Sequence, residues 1–334
     1  MTRAEIPGLV APDPALERDL RAGLDHVEKF LEKTVRAEFE LLSEAAGHLL
    51  RAGGKRFRPM LVLLSGHFGD PADARLIPGA AAMELTHVAT LYHDDVMDEA
   101  EYRHGVPSVN AKWSNSVAIV SGDYLFARAA EIASDLGTEV TRLLARTIAT
   151  VCDGQIRDVT NAGQLHQTTD DYLETIRRKT AALMATSCRL GGMLSEAPPE
   201  TVEVLDRFGE SLGMGFQLSD DIMDLVSTEH ELGKEPTVDL RLGVYTLPVL
   251  YAIREGSRRE ELAKLLTARP LEQEALERAL EIVLADGSIE HARTAVTAEV
   301  RRAKELAQGL PVGVARTALL HLADFIAVRC GAEV

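Results

Sequence analysis

Six aspartates carry the clearest chemistry in this sequence. Asp94, Asp95 and Asp98 form one cluster, and Asp220, Asp221 and Asp224 form a second with the same spacing. On a helix, residues i and i+4 share a face and i+1 flanks it, so each cluster makes one acidic patch. Both sit in apolar stretches, Val88-Ala89-Thr90-Leu91-Tyr92 before the first and Met223-Asp224-Leu225-Val226 around the end of the second. Three unpaired carboxylates are costly to bury there, so something positive should meet them. Magnesium fits, because it takes oxygen ligands and is commonly held by one or two carboxylates plus substrate phosphates. Metal ions that bridge a diphosphate neutralise the charge that develops as its carbon–oxygen bond breaks. One such motif alone would read as a solvated acidic face. Two in one chain, each beside an apolar run, do not.

Cations occur in matching clusters. Gly53-Gly54-Lys55-Arg56-Phe57-Arg58-Pro59 sets three of them in a turn between helices. Arg offers a planar fork for phosphate oxygens and Lys a compact point charge, while glycine lets the backbone approach a ligand closely. Arg103-His104-Gly105, Lys179-Thr180 and Gly233-Lys234 add further candidate phosphate contacts. Singly, each reads as a surface ion pair or a helix-end charge. Together with two acidic patches they describe a site for two anionic substrates, one held through metal and one through Lys and Arg.

The elements that must position these groups read as helices. Asp13-Pro14 is a helix start, with Asp as cap and Pro at the first helical position. Leu16, Leu20, Leu24, Val27, Leu31 and Val35 then recur at three- and four-residue spacing. Gly53-Gly54 should end the second helix, and further helical patterns cover roughly 76–98, 114–136, 138–163, 170–193, 200–226 and 272–306. The expectation is an all-α fold: a single domain over 1–334, a large helical bundle with a central active-site cavity. Leu91-Tyr92-His93-Asp94-Asp95-Val96-Met97-Asp98 recurs in outline as Leu218-Ser219-Asp220-Asp221-Ile222-Met223-Asp224, so two helices should carry the same acidic device.

Composition sets bounds on the chemistry. The 334 residues are 46 % hydrophobic and 26 % charged, enough for a large core, and the net charge of −16 argues against nucleic-acid binding. Cys152, Cys188 and Cys330 lie far apart and read as free thiols of a reducing cytoplasm. The start lacks a signal-peptide pattern, and no run of about 18 apolar residues suggests a membrane span. Tyr92, Tyr102 and Trp113 are read as core or subunit contacts, and His93 as a satisfied core histidine. The histidines His26, His48, His67, His166, His230, His291 and His321 make no ligand-spaced pair.

With these residues in order, the chain resembles the trans-isoprenyl diphosphate synthases (polyprenyl synthetases), and most closely their bacterial long-chain members. The match runs from GGKRFRP at residue 53 through DDVMD, Gly122-Asp123-Tyr124-Leu125, Gly154-Gln155, Lys179-Thr180, FQLSDDIMD and Gly233-Lys234 to Thr246-Leu247-Pro248. The resemblance implies an isoprenoid-synthase fold and a prenyltransferase that condenses isopentenyl diphosphate with an allylic diphosphate, farnesyl or geranylgeranyl. It implies three Mg2+ ions per active site on Asp94, Asp95, Asp98, Asp220, Asp221 and Asp224, the last outermost and acting through water. Arg103, Lys179 and Lys234 would contact the allylic diphosphate; Lys55, Arg58, His87 and His104 would hold that of isopentenyl diphosphate. Thr180 and Gln217 would stabilise the carbocation or position the reacting ends, with Phe216 structural. A cytoplasmic homodimer is also implied.

Two departures from the family pattern stand out. The second of two usual arginines is His104, a group only partly charged at neutral pH near its ordinary pKa. Val244 stands where some members carry a further lysine. For chain length, the resemblance points to Thr90, Ala89, Thr86 and Met83, at four, five, eight and eleven residues before Asp94. Small residues there imply an open upper tunnel and a C30–C45 product for a quinone side chain, with Met83 a candidate floor that reads better as core packing. The alternatives are a C20–C25 synthase, a non-catalytic partner subunit of a heteromeric synthase, and a class I terpene cyclase. The last needs neither a second DDxxD nor a second diphosphate pocket, and a non-catalytic subunit should have lost aspartates that this chain keeps.

Overall fold

The computed structural model describes residues 13–227, 237–267, 271–285 and 287–334, and it is built of helices. Among these residues the only extended pairing is a two-stranded hairpin, Tyr102–Arg103 with Val106–Pro107. The chain divides into two compact units, each assembled from three separate stretches.

The first unit comprises residues up to 148, 183–209 and 306–321. Helix α1 (Pro14–Thr34) begins as its sequence dictates, with the Asp13 carboxylate accepting from the Ala15 and Leu16 amides and Pro14 opening the helix. Leu16, Leu20, Val27 and Leu31 form its buried stripe. The expected second helix is two short ones, α2 (Glu40–Ala46) and α3 (His48–Ala52), divided at Gly47. Helix α4 (Phe57–Gly66) is almost wholly buried. Helix α5 (Leu76–Met97), which carries the first acidic cluster, packs on α1, α4 and α7 (Asn115–Leu136). Its buried side includes Ala80, Met83, Leu85, Val88 and Ala89. Each large aliphatic removed from water in this way contributes about 1.5–3 kcal/mol. The approach of α7 to α5 needs Gly122: a Cβ there would sit 2.4 Å from His93 Nε2.

The second unit comprises 149–182, 210–305 and 322–334. It takes the end of α8 (Thr138–Asn161) and the acidic end of α11 (Pro199–Val226). Two helical expectations are corrected here. The predicted helix over 170–193 is three elements: α9 (Thr169–Ile176), a π-helical turn at Arg177–Ala181, and α10 (Ala182–Leu194), which belongs to the first unit from Leu183 onward. The predicted helix over 272–306 is two, Gln273–Ala285 and Ser288–Gln308, with Gly287 at φ 73° between them. Glycine is the residue that tolerates that backbone.

Candidate active site

Asp94, Asp95 and Asp98 end helix α5, the last as its C-cap. They differ in depth: Asp95 is buried, Asp94 half-buried and Asp98 exposed. Arg103, on the hairpin that follows, donates Nε to Asp95 Oδ1 at 2.7 Å, and its Nη2 lies 2.6 Å from the same oxygen. The other oxygen, Asp95 Oδ2, is buried without a hydrogen-bond partner. Burial pushes the Asp95 pKa up, and the Arg103 charge opposes the shift.

The hairpin turn explains how the next basic group is presented. His104 and Gly105 both have positive φ, 52° and 75°, as a two-residue hairpin loop with matching twist requires. His104 therefore projects at the tip, with solvent access and its ring close to the Gly53 backbone. Desolvation by the surrounding protein, then the charges of Arg103, Arg56 and Lys55, hold its pKa below the ordinary value. His104 is thus less charged in the free protein than an ordinary histidine would be. His87, half-buried on α5, is pushed well below its ordinary pKa by desolvation and by Arg58, His104 and Arg103. The structure thus gathers His87, Arg58, Arg103 and His104 into one electrostatic neighbourhood, with Lys55 exposed beside it. Arg56, nearby, is committed to carboxylates. It is buried, 3.0 Å from Glu84, paired with Glu28, and bonded at 2.7 Å to the Leu50 carbonyl.

In the second unit Asp221 and Asp224 are buried and Asp220 half-buried. Gln217 Nε2 donates to Asp221 Oδ1 at 2.8 Å, and Thr180 Oγ1 donates to Gln217 Oε1 at 2.8 Å. Thr180 and Gln217 are therefore in contact. Lys179 lies beside Thr180 on the π-helical turn, 2.6 Å from Asp158. That turn is held tightly against α8. A Cβ on Gly154 would fall 2.5 Å from the Lys179 backbone nitrogen and 2.9 Å from the Arg178 carbonyl carbon. Lys234 lies outside the described residues. Of the chain-length candidates, Met83, Thr86 and Ala89 are fully buried, and Thr90 is half-buried with its hydroxyl donating to the His87 carbonyl. Thr86 turns its hydroxyl to the Ala82 carbonyl of its own helix.

Three residues about the second acidic cluster were not found from sequence. Tyr172 donates its hydroxyl to Asp221 Oδ2, and Arg329, near the end of the Val314–Arg329 helix, pairs with Asp220. The Arg329 guanidinium also lies over the Phe216 ring, 4.9 Å from its centroid. Asp239 completes the trio: its charge, after burial, raises the Asp221 pKa to about 8. Tyr172 had a local signal, seven residues before Lys179 in one helical pattern; Arg329 and Asp239 had none. Of the aromatic residues, Tyr92 is fully buried, bonding the Ala45 carbonyl at 2.6 Å, whereas Tyr102 is 68 % exposed and so not core.

The donor set fits a hard divalent cation. Buried carboxylates, one with an orphaned oxygen and another raised toward neutrality by burial and a neighbouring carboxylate, are groups that a cation stabilises. Among the described residues no three His, Cys, Asp or Glu side chains converge to hold a metal by themselves.

Residues 39–283 match the family model described as Polyprenyl synthetase. The chain is 39 % identical over 328 residues to the nonaprenyl diphosphate synthase of Mycobacterium tuberculosis, covering 98 % of each chain. It is 41 % identical over 311 residues to heptaprenyl diphosphate synthase component 2 of Bacillus subtilis, covering 93 % of this chain and 89 % of that one. A solved polyprenyl synthase from Caulobacter crescentus, complexed with calcium and isoprenyl diphosphate, superposes with a TM-score of 0.88 at 30 % identity, covering 93 % and 96 %.

Proposed function

The chain belongs to the polyprenyl synthetase family, and we propose on that basis that it condenses isopentenyl diphosphate with farnesyl or geranylgeranyl diphosphate to an all-trans C30–C45 polyprenyl diphosphate. Its relatives named for nonaprenyl and heptaprenyl products support the long-chain reading. The observation that carries the chemistry is Asp95: a buried carboxylate with one oxygen on Arg103, the other orphaned, and a basic group of Arg58, His87 and His104 around that arginine. An acidic metal holder and a direct anion pocket built side by side suit two diphosphate substrates.

Asp94, Asp95, Asp98, Asp220, Asp221 and Asp224 would hold the metal, read as three Mg2+ ions. Bound magnesium supplies positive charge that stabilises the departing diphosphate. Arg103, Lys179 and Lys234 hold the same diphosphate directly. Lys55, Arg58, His87 and His104 fix the diphosphate of isopentenyl diphosphate, so that its double bond lies against the allylic carbon. The allylic carbon–oxygen bond breaks, and the double bond attacks the allylic cation. The Thr180 and Gln217 oxygens stabilise positive charge near that carbon. Loss of a proton to the departed diphosphate restores the double bond, leaving a product five carbons longer. Ala89, Thr90, Thr86 and Met83 would line the path of the growing chain.

The matched residues 39–283 run through both units, which supports reading 1–334 as one functional domain. No described helix is long and apolar enough to cross a membrane; a cytoplasmic homodimer is our reading. The likeness to a protein named as one component of a synthase favours a second form, in which the chain elongates only beside another subunit. Mass spectrometry of products from isopentenyl diphosphate, farnesyl diphosphate and magnesium tests these readings. Products of thirty carbons or more support the main one, and a stop at C20–C25 moves the floor toward Met83. No elongation with any allylic primer would refute autonomous catalysis.

A further inference from the structure

We propose that Tyr172 is a positioning residue that fixes Asp221 and, through it, the orientation of the Gln217 amide toward Thr180. The inference rests on the condensation reading above and goes beyond it in naming what holds the second acidic cluster in register. Tyr172 lies on α9, is fully enclosed, and donates its hydroxyl to Asp221 Oδ2. The Leu247 backbone amide lies close to the phenolic oxygen. Leu247 opens the Leu247–Glu255 helix, which packs on α9, and Pro248 occupies its first turn. The first amides of a helix lack partners within it, so this one is available to Tyr172.

The direction of each bond follows from donor chemistry. In the ionised form that would hold a cation, Asp221 only accepts. Tyr172 bonds its Oδ2, so its Oδ1 is left for Gln217, which must present its NH2 group there. The Gln217 carbonyl oxygen is then forced toward Thr180, whose hydroxyl donates to it. One hydroxyl thus decides which end of an amide faces the reacting carbon. Asp239 stands near both Tyr172 and Asp221, and its negative charge opposes any second carboxylate there without a donor such as Tyr172. Loss of groups that orient metal ligands commonly lowers metal affinity or activity about 10- to 100-fold.

The test replaces Tyr172 with Phe in the full chain and reads three quantities. Mn2+ affinity, measured by electron paramagnetic resonance with a thio analogue of farnesyl diphosphate present, should weaken about 10- to 100-fold. Turnover should fall by a similar factor while KM for isopentenyl diphosphate stays within about twofold, because the residues assigned to that substrate lie elsewhere. In parallel, 3-fluorotyrosine at position 172 keeps the hydroxyl and should retain near-wild-type turnover, and its 19F resonance should shift as Mg2+ is added. Wild-type Mn2+ affinity and turnover in Tyr172→Phe would overturn the proposal. If that variant does not fold, a 19F resonance that ignores Mg2+ overturns it instead. Failure of the wild-type chain to elongate any primer would strike the condensation reading itself, a separate outcome.

Discussion

Replacing Gly154 with Ala tests whether the tight seat beneath Lys179 and Thr180 matters. In a helix interior Ala is favoured over Gly by about 0.8–1.0 kcal/mol, so on propensity alone the change should stabilise α8. The tertiary structure reverses the sign. The new methyl would meet the Lys179 nitrogen at 2.5 Å and the Arg178 carbonyl carbon at 2.9 Å. Both are backbone atoms, which cannot rotate away as a side chain can. Overpacking of this kind costs about 1–3 kcal/mol, leaving a net loss of up to about 2 kcal/mol after the propensity gain. Thermal unfolding should show a fall of up to about 3 °C. The π-helical turn must also move, and a displacement near 1 Å at a reacting group costs on the order of 100-fold in rate. Turnover should therefore drop far more than stability, with KM for isopentenyl diphosphate little changed. Gly215 is the control: its nearest non-local atom to an added Cβ, Ile326 Cγ2, is at 3.4 Å, so Gly215→Ala should melt at or above the wild type. A Gly154→Ala protein that melts no lower than the wild type and turns over normally would refute the reasoning.

Three further outcomes follow from particular side chains. Arg56→Met should destabilise the fold by about 3 kcal/mol in denaturant unfolding, because it strands Glu84, only 5 % exposed, without its partner; Lys55→Met should leave stability unchanged and raise KM for isopentenyl diphosphate. Because a bound diphosphate favours the protonated ring and the free protein disfavours it, substrate binding should take up a proton at His104, so KM for isopentenyl diphosphate should fall as pH drops from 8 to 6. His104→Arg should lower that KM about threefold to tenfold at pH 8 and much less at pH 6, checked by initial rates at both values. Ala89→Phe places a ring in a fully buried wall of α5 and should shorten the products seen by mass spectrometry; an unchanged distribution would remove Ala89 from the tunnel.

The sequence by itself determined the helical class and the motifs. Both rest on local rules: a 3.6-residue apolar period, an Asp-Pro cap, and aspartates one and four apart on a helix face. Asp13 capping α1 and the bounds of α5 and α7 follow directly from such signals. Only the tertiary structure decided which member of each motif is buried, since burial depends on what packs across from it. Asp95 goes under and Asp98 does not, on the same helix end. Arg56 turns inward to Glu84 while Lys55, one residue away, faces water. The π-helical turn at Arg177–Ala181 was invisible because its residues carry an unbroken helical pattern; the approach of Gly154 shows where that turn is seated. Tyr172, Asp239 and Arg329 met the second acidic cluster from 49 residues before Asp221, 18 after it and 109 after Asp220. No spacing rule reaches across such separations, because pairing there is set by how helices stack rather than by how one helix winds.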